Sequence, residues 1–277
     1  MNLLRIAAFS DGDYGGNPAG VMLTEDFPSD AEMQRIAAEV RYSETAFVVP
    51  QGDSFRVRYF SPESEVPFCG HATIALGAAL ALKHGDGSFP LVLNNAQISV
   101  EGRKDGALVV ATLQSPATRS ALAPAELTDS ALALFNYSRT DLDPRLPSAL
   151  MHAGADHLML ALNSRTALAN MRYELDAGRT FMQRHGLVTV MMVFVESAHL
   201  FHSRNAFASG GVYEDPATGA ASAAFAGYLR DLNWPHSGAI DIVQGEDMGA
   251  RSLIRAEFLA LAGSSIRVSG TARVIEI

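Results

Sequence analysis

The chain's single cysteine lies in the stretch EVPFCGHATIA, Glu65 to Ala75, one residue before Gly70 and two before His71. A thiol beside an imidazole is suited to nucleophilic or acid/base chemistry, because the ring can take and return the sulfur's proton. A lone thiol is equally ordinary packing material, and a lone histidine equally a structural hydrogen-bonding group. Other proton-moving groups sit at related places. Glu44 lies in RYSETAFVV, immediately before an apolar strand, where a partly desolvated carboxylate suits a general base. Asp215 lies in EDPATG, in a turn that corresponds to the one before His71. Glu63, Glu65 and Glu214 are close to these segments, and composition does not rank the acids.

Other chemistries lack their patterns. His152 and His157, or His199 and His202, have neither the helical i, i+4 spacing nor the third ligand of a zinc site. No GxGxxG follows a strand, and there is no Walker loop or GxSxG elbow. Gly12 to Gly20, GDYGGNPAG, is a glycine-rich turn without phosphate-loop spacing. No metal, nucleotide, flavin or other cofactor is therefore expected. One cysteine makes no internal disulfide, which points to a reducing, cytoplasmic location. A formal charge of −9 argues against nucleic acid and anionic membrane as partners. No apolar run reaches membrane-spanning length, and MNLLRIAAFSDGD reads as a first strand, not a signal peptide.

The elements that must position these groups are short apolar, β-branched runs separated by few helices. LLRIAAF, GVMLT, TAFVV, FRVRYF, ISVEG, ALVVATL, HLMLAL, VTVMMVFVE, SLIRAEF, SIRVSG and ARVIEI have the length and alternation of strands. Ser29 is a cap for a helix to Val40, with Met33, Ile36, Ala37 and Val40 on one stripe. Gly70 to Lys83 and Gly219 to Leu232 are two further helices, both opening at glycine. Leu113 to Ser130, rich in Pro, Ala, Ser and Thr, reads as a linker between halves, or else as a long surface loop.

A repeat underlies the two glycine-opened helices. Glu65 to Leu80 aligns without gaps on Glu214 to Leu229, 149 residues later. Glu, Pro, Gly and three further positions are identical, and Thr73 meets Ser222. Two similar halves follow, each with one helix start whose unpaired N–H groups and partial positive charge favour an anion. Two such starts facing one cleft would clamp a small carboxylate, although ordinary capped helices would show the same glycines.

GGNPAGVML, YSETAFV, SPESEVPFCGHATIALGAAL, GGVYEDPATGAASAAFAGYL, QGEDMGARSLI and IRVSGTARVI stand in the order found in the PhzF-like phenazine biosynthesis isomerases, which the whole chain resembles. The resemblance implies an α+β, diaminopimelate epimerase-like fold: two pseudo-symmetric domains, each a β-barrel-like sheet around a central helix, with the active site between them. The expected halves are 1–117 and 118–277, the last strand being free to pack on the first half. The family's namesake isomerises trans-2,3-dihydro-3-hydroxyanthranilate by moving a proton between carbons without a cofactor.

Carried over by motif, the catalytic glutamate falls on Glu44, the histidine on His71 and the aspartate on Asp215. Glu44 would remove the C–H proton and return one at another carbon, while His71 and Asp215 position the substrate and assist delivery. Gly70, His71, Thr73, Thr218, Gly219 and Ala220 would surround the carboxylate of a small acid. Relatives of this kind are often homodimers. The namesake's serine after the second glycine is Ala220 here, and its GHP is GHAT, which points to a different small acid. Met22, Tyr42, Tyr213 and Arg204 are candidates for choosing it. Two-cysteine racemases of the same fold need a thiol in each half, which a single Cys69 rules out. A one-cysteine racemase or dehydratase using Cys69 and a non-catalytic small-acid-binding protein are the alternatives. Cys69 is otherwise expected to be a bystander at the edge of the site.

Overall fold

The computed structural model describes residues 3–258 and 261–276. The chain divides into two units, Met1–Gln114 with Val268–Ile277, and Ser115–Arg267. In the first, the elements are β1 (Leu3–Ser10), β2 (Asn17–Leu23), α1 (Asp30–Val40), β3 (Thr45–Gln51), β4 (Ser54–Phe60), β5 (Glu65–Val66), α2 (Gly70–His84), β6 (Gly87–Val92), β7 (Gln97–Asp105) and β8 (Leu108–Gln114). The second holds β9 (Arg119–Leu122), α3 (Ala125–Leu134), β10 (Ala149–His152), β11 (Asp156–Leu162), α4 (Arg165–Ala169), α5 (Leu175–Arg184), β12 (Thr189–Val195), β13 (Leu200–Ala206), β14 (Glu214–Asp215), α6 (Gly219–Asp231), β15 (Ala239–Gln244) and β16 (Ser252–Glu257). The last strand, β17 (Arg267–Val274), runs antiparallel to β1.

In the first unit the strands close on themselves in the order β8, β17, β1, β2, β3, β4, β6, β7 and back to β8. Most neighbours are antiparallel, but β2 runs parallel to β3 and β4 to β6. The second unit repeats the succession. There β10–β11, β12–β13 and β15–β16 are antiparallel, and β11–β12 and β13–β15 parallel. The repeat seen in sequence is thus a repeat of strand order, and the fold is the α+β, epimerase-like one.

The sheet of the first unit wraps α2, which is buried without interruption from Gly70 to Ala81. A helix apolar all round can only be a core helix. Its Ala and Gly composition sets how near the sheet approaches. A Cβ on Gly102, in β7, would lie 2.4 Å from the Gly77 carbonyl oxygen, and one on Gly77 would lie 2.5 Å from Val100. Larger residues on either wall would push helix and strand apart. In the second unit α6 is buried from Gly219 to Arg230 apart from Ala220, and the Cβ of a substituted Gly227 would meet Thr118 at 2.7 Å.

Outside the sheets, α1 forms as its sequence predicts. Ser29 accepts from the Glu32 N–H, and Met33, Ile36, Ala37 and Val40 pack on Met22, Phe47 and Phe60. Arg41, left-handed at φ 61°, ends the helix. Three helices were not expected. The stretch read as a linker contains the end of β8, β9 and most of α3, which starts after Pro124, where a missing N–H costs nothing. α4 is a single short turn capped by Ser164. α5 buries only Gly178 and Met182, so its apolar stripe is too thin to read from sequence. SIRVSG and ARVIEI, expected as two strands, are largely one continuous β17.

Gly102→Ala is expected to cost about 1–3 kcal/mol, as an overpacked core position whose obstacle is backbone. Urea unfolding should show a lower midpoint at unchanged slope, and an unmoved midpoint would contradict the close approach of β7 to α2.

Candidate active site

In the first unit, the loop before β3 brings Glu44 against the start of α2. Glu44 is 6% exposed and His71 4% exposed. The Glu44 Oε2 lies 3.4 Å from His71 Nε2 and has no hydrogen-bond partner. Ser43 Oγ is 3.3 Å from the same ring nitrogen, while Cys69 Sγ is 3.3 Å from Nδ1 and 4.0 Å from Nε2. Cys69 is therefore not at the edge of the cluster. Thiol, imidazole and carboxylate form one buried group, and among the described residues it is the set of acid, histidine and cysteine with metal-ligating proximity, all ligand atoms falling within 4.8 Å. The pairing Cys69–His71 is local, two residues apart across a helix start. Glu44 arrives only because the parallel β2–β3 pairing carries its strand alongside, with the Gly20 N–H bonded to the Glu44 carbonyl.

The start of α2 is fixed without a side-chain cap from Cys69. Thr73 does that work instead: its N–H and hydroxyl both donate to the Cys69 carbonyl, at 3.0 and 2.6 Å. Tyr59 Oη contacts the same hydroxyl at 2.7 Å, and burial pushes its phenol above the usual range, keeping it neutral. Thr73 thus has its polar groups engaged inside the protein and serves the helix start, not a substrate. Gly70 and His71 occupy the first helical positions, whose N–H groups have no intrahelical acceptor.

The second unit builds its own turn around Asp215, which is buried. Thr218 Oγ1 donates to Asp215 Oδ2 at 2.6 Å. Gln244, absent from the sequence candidates, is fully buried in β15 and ties the turn together. Its Oε1 accepts from the Thr218 N–H at 3.1 Å, and its Nε2 donates to the Asp215 carbonyl and to Thr218 Oγ1, at 2.7 and 3.0 Å. Gly219 and Ala220 follow as the first residues of α6, with Ala220 partly exposed. Ser222 is fully buried and its hydroxyl is without a hydrogen-bond partner, so it does not replace the hydroxyl that Ala220 lacks. The sequence signal for Gln244 was its place at the head of the QGEDMGARSLI motif, which carried no chemistry until the strand was placed.

Both helix starts are preceded by the same ion pair. Arg58 in β4 holds Glu65 through Nε and Nη2 at 2.8 and 2.6 Å, and reaches Asp30 in the first turn of α1 at 2.7 Å. Arg204 in β13 holds Glu214 through Nε and Nη2 at 2.9 and 2.5 Å, and donates to the Ala169 carbonyl at the end of α4 at 2.8 Å. Each arginine stands two residues before the one paired with its glutamate. Arg204 is therefore committed to structure and does not select a substrate. Met22 lies in the core beneath α1, with Tyr42 packed against it, and Tyr213 stacks on Tyr173 at 4.5 Å.

Three other histidines have partners of their own. His152 meets Asp156 at 2.8 Å and His202 meets Glu196 at 2.5 Å. His157, fully buried beside Thr189, is pushed down to about 4 by burial and stays neutral. Among the described residues, no helix is long and apolar enough to cross a membrane.

Known proteins match this chain over nearly its whole length. The family model described as phenazine biosynthesis-like protein, PhzC-PhzF, matches residues 6–276. A trans-2,3-dihydro-3-hydroxyanthranilate isomerase of Pseudomonas aeruginosa is 32% identical, over 96% of this chain and 94% of its own. An uncharacterized isomerase of Clostridium acetobutylicum is 28% identical over 99% and 96%. The structure of a predicted epimerase from Pseudomonas aeruginosa superposes with a TM-score of 0.87 at 24% identity, covering 99% of this chain and 96% of that one.

The Arg58–Glu65 pair carries a pH-dependent test. Hydrogen bonds from Arg58 hold the Glu65 carboxyl below its ordinary 4.5. Its stabilising contribution is then present above that value and lost as pH falls through the lower folded one. Glu65→Gln should cost about 1 kcal/mol at neutral pH. The gap to the unaltered protein should close in acid, read by urea unfolding across that window; a gap independent of pH would remove Glu65 as its source.

Proposed function

We propose that this chain, which belongs to the phenazine biosynthesis-like family and is an isomerase, moves a proton on a small carboxylic acid without a cofactor, Glu44 being the base. The observation that carries the reading is Glu44 itself: a carboxylate 6% exposed, with one oxygen free of hydrogen bonds and an imidazole 3.4 Å away. A base so placed can accept a proton from carbon and keep it from bulk water until it is returned.

The steps follow from the residues. Glu44 takes the C–H proton, and the electron pair left behind is delocalised toward the substrate carboxylate. Free N–H groups of Gly70 and His71 at the start of α2 stabilise that charge as it grows. His71, positioned by Ser43 and Cys69, keeps the proton within reach for return at a second carbon. Asp215, fixed by Thr218 and Gln244, has the role its motif gives it, assistance in proton delivery, and Thr218, Gly219 and Ala220 that of binding the acid. The substrate class, a small acid, is taken from the Pseudomonas aeruginosa relative, whose named substrate is an anthranilate. The alanine at 220 favours an acid that does not need a hydroxyl there.

A second reading has its own observation, the 3.3 Å approach of Cys69 Sγ to His71 Nδ1. In it the thiolate, with its proton held by His71, is the base and Glu44 orients the ring.

The deciding experiment is a panel of small unsaturated and hydroxy acids followed by NMR in deuterium oxide. Glu44→Gln should lower deuterium incorporation by about 10²–10⁴-fold while the acid still binds. Retained exchange in that variant, with exchange lost in Cys69→Ser, would transfer the role to the thiol.

A further inference from the structure

In the second unit a run of buried polar side chains leads to Asp215. Phe201, Ser203 and Asn205 share one face of β13, and Phe201 turns that face toward α6, its ring meeting Phe225 at 5.0 Å. Asn205 is fully buried and stands directly opposite Asp215 in the antiparallel pairing of β13 with β14. Residues so opposed point to the same face, with Cβ atoms about 4.5–5.5 Å apart. On the other side, Asn205 Oδ1 accepts from Thr189 Oγ1 of β12 at 3.1 Å, and that hydroxyl lies 2.8 Å from His157 Nδ1 of β11. The amide nitrogen diverges from this oxygen and so lies on the side of β14. It is buried and has no hydrogen-bond partner.

The first unit has Tyr59 at the matching place, opposite Val66 and one residue after the arginine that holds the glutamate. Tyr59 supports the start of α2 through Thr73 at 2.7 Å. Asn205 does no such work for α6. Ser222, which aligns with Thr73, has an unpartnered hydroxyl, and Gln244 holds the turn instead. A buried donor without an acceptor is costly to keep, and the carboxylate opposite can supply the acceptor.

We infer that Asn205 is a positioning residue for Asp215, its Nδ2 taking the carboxylate when Thr218 turns its hydroxyl from Asp215 Oδ2 to a bound acid. That exchange of donors rests on the roles proposed above for Asp215 and Thr218; the orientation of the amide does not. The orientation is locked from behind. His157 is neutral and so has one ring N–H. With the Thr189 proton given to Asn205 Oδ1, His157 Nδ1 is the donor to Thr189, and the unpartnered Nε2 is a bare lone pair. The reverse chain would turn the amide oxygen toward the carboxylate and orphan a buried N–H at Nε2, the rarer and costlier outcome.

Two measurements on the full chain test this. Nitrogen-15 NMR of the unaltered protein should show His157 protonated at Nδ1 at neutral pH. A proton on Nε2 would overturn the inference, because it reverses the amide. The second measurement is deuterium exchange into an acid of the panel, beginning with trans-2,3-dihydro-3-hydroxyanthranilate. Asn205→Leu should lower the rate at saturating acid by about 10–100-fold, the worth of one hydrogen bond to a charged group. Added to Asp215→Asn, it should lower the rate no further. Thr189→Val, which unlocks the amide, should act in the same direction. Equal losses with and without Asp215 would mark Asn205 as packing and overturn the inference. So would an unchanged rate in Asn205→Leu beside a lost one in Asp215→Asn. An unchanged rate in Asp215→Asn would instead remove the role proposed for Asp215, and this inference with it. Where Asn205→Leu does not fold, or no acid exchanges, the His157 tautomer decides alone.

Discussion

A helix buried on every side places one demand on everything around it: its unpaired N–H groups must open at an end of the sheet that wraps it. From Gly70 to Ala81 no residue of α2 faces solvent, so the helix start is the one place where its backbone can meet a ligand. The residue before each start gives no side-chain cap. Holding the turn falls instead to Thr73 and Tyr59 in one unit and to Gln244 in the other. These residues are spent on backbone oxygens and amides, which leaves the first helical N–H groups uncommitted. The chemistry of the site depends on that division of labour.

The two arginine–glutamate pairs serve the same demand from the other side. Each glutamate belongs to a two-residue strand immediately before a glycine-opened helix, and each arginine comes from the neighbouring strand. A bidentate guanidinium–carboxylate contact fixes direction as well as distance. It therefore aims the segment that carries Cys69 in one half and Asp215 in the other. What differs is the third contact, the first turn of α1 for Arg58 and the last carbonyls of α4 for Arg204.

Much of this was legible in the residues. The repeat gave the two halves, the glycines gave both helix starts, and the ordered motifs singled out Glu44 from acids that composition left equal. Glu65 and Glu214 were visible as aligned acids, but their arginines were not, because strand pairing and not sequence spacing sets that contact. Gln244 was hidden for the same reason: it acts across 26 residues, through a strand order that no local pattern encodes. The helices α3 to α5 were missed where a proline-rich opening or a thin apolar stripe imitates a loop. Cys69 has no counterpart in the second half, yet its neighbour two residues on decides its surroundings.

The two pairs also differ in how wet they are. Arg58 and Glu65 keep 18% and 27% of their side-chain surface exposed, while Arg204 and Glu214 keep 8% and 3%. Mobile ions screen the first and scarcely reach the second. Rising ionic strength would therefore slacken the turn before α2 and leave the turn before α6 taut. Halves that match in strand order would then part company in brine, with the half that carries Glu44 being the one that gives.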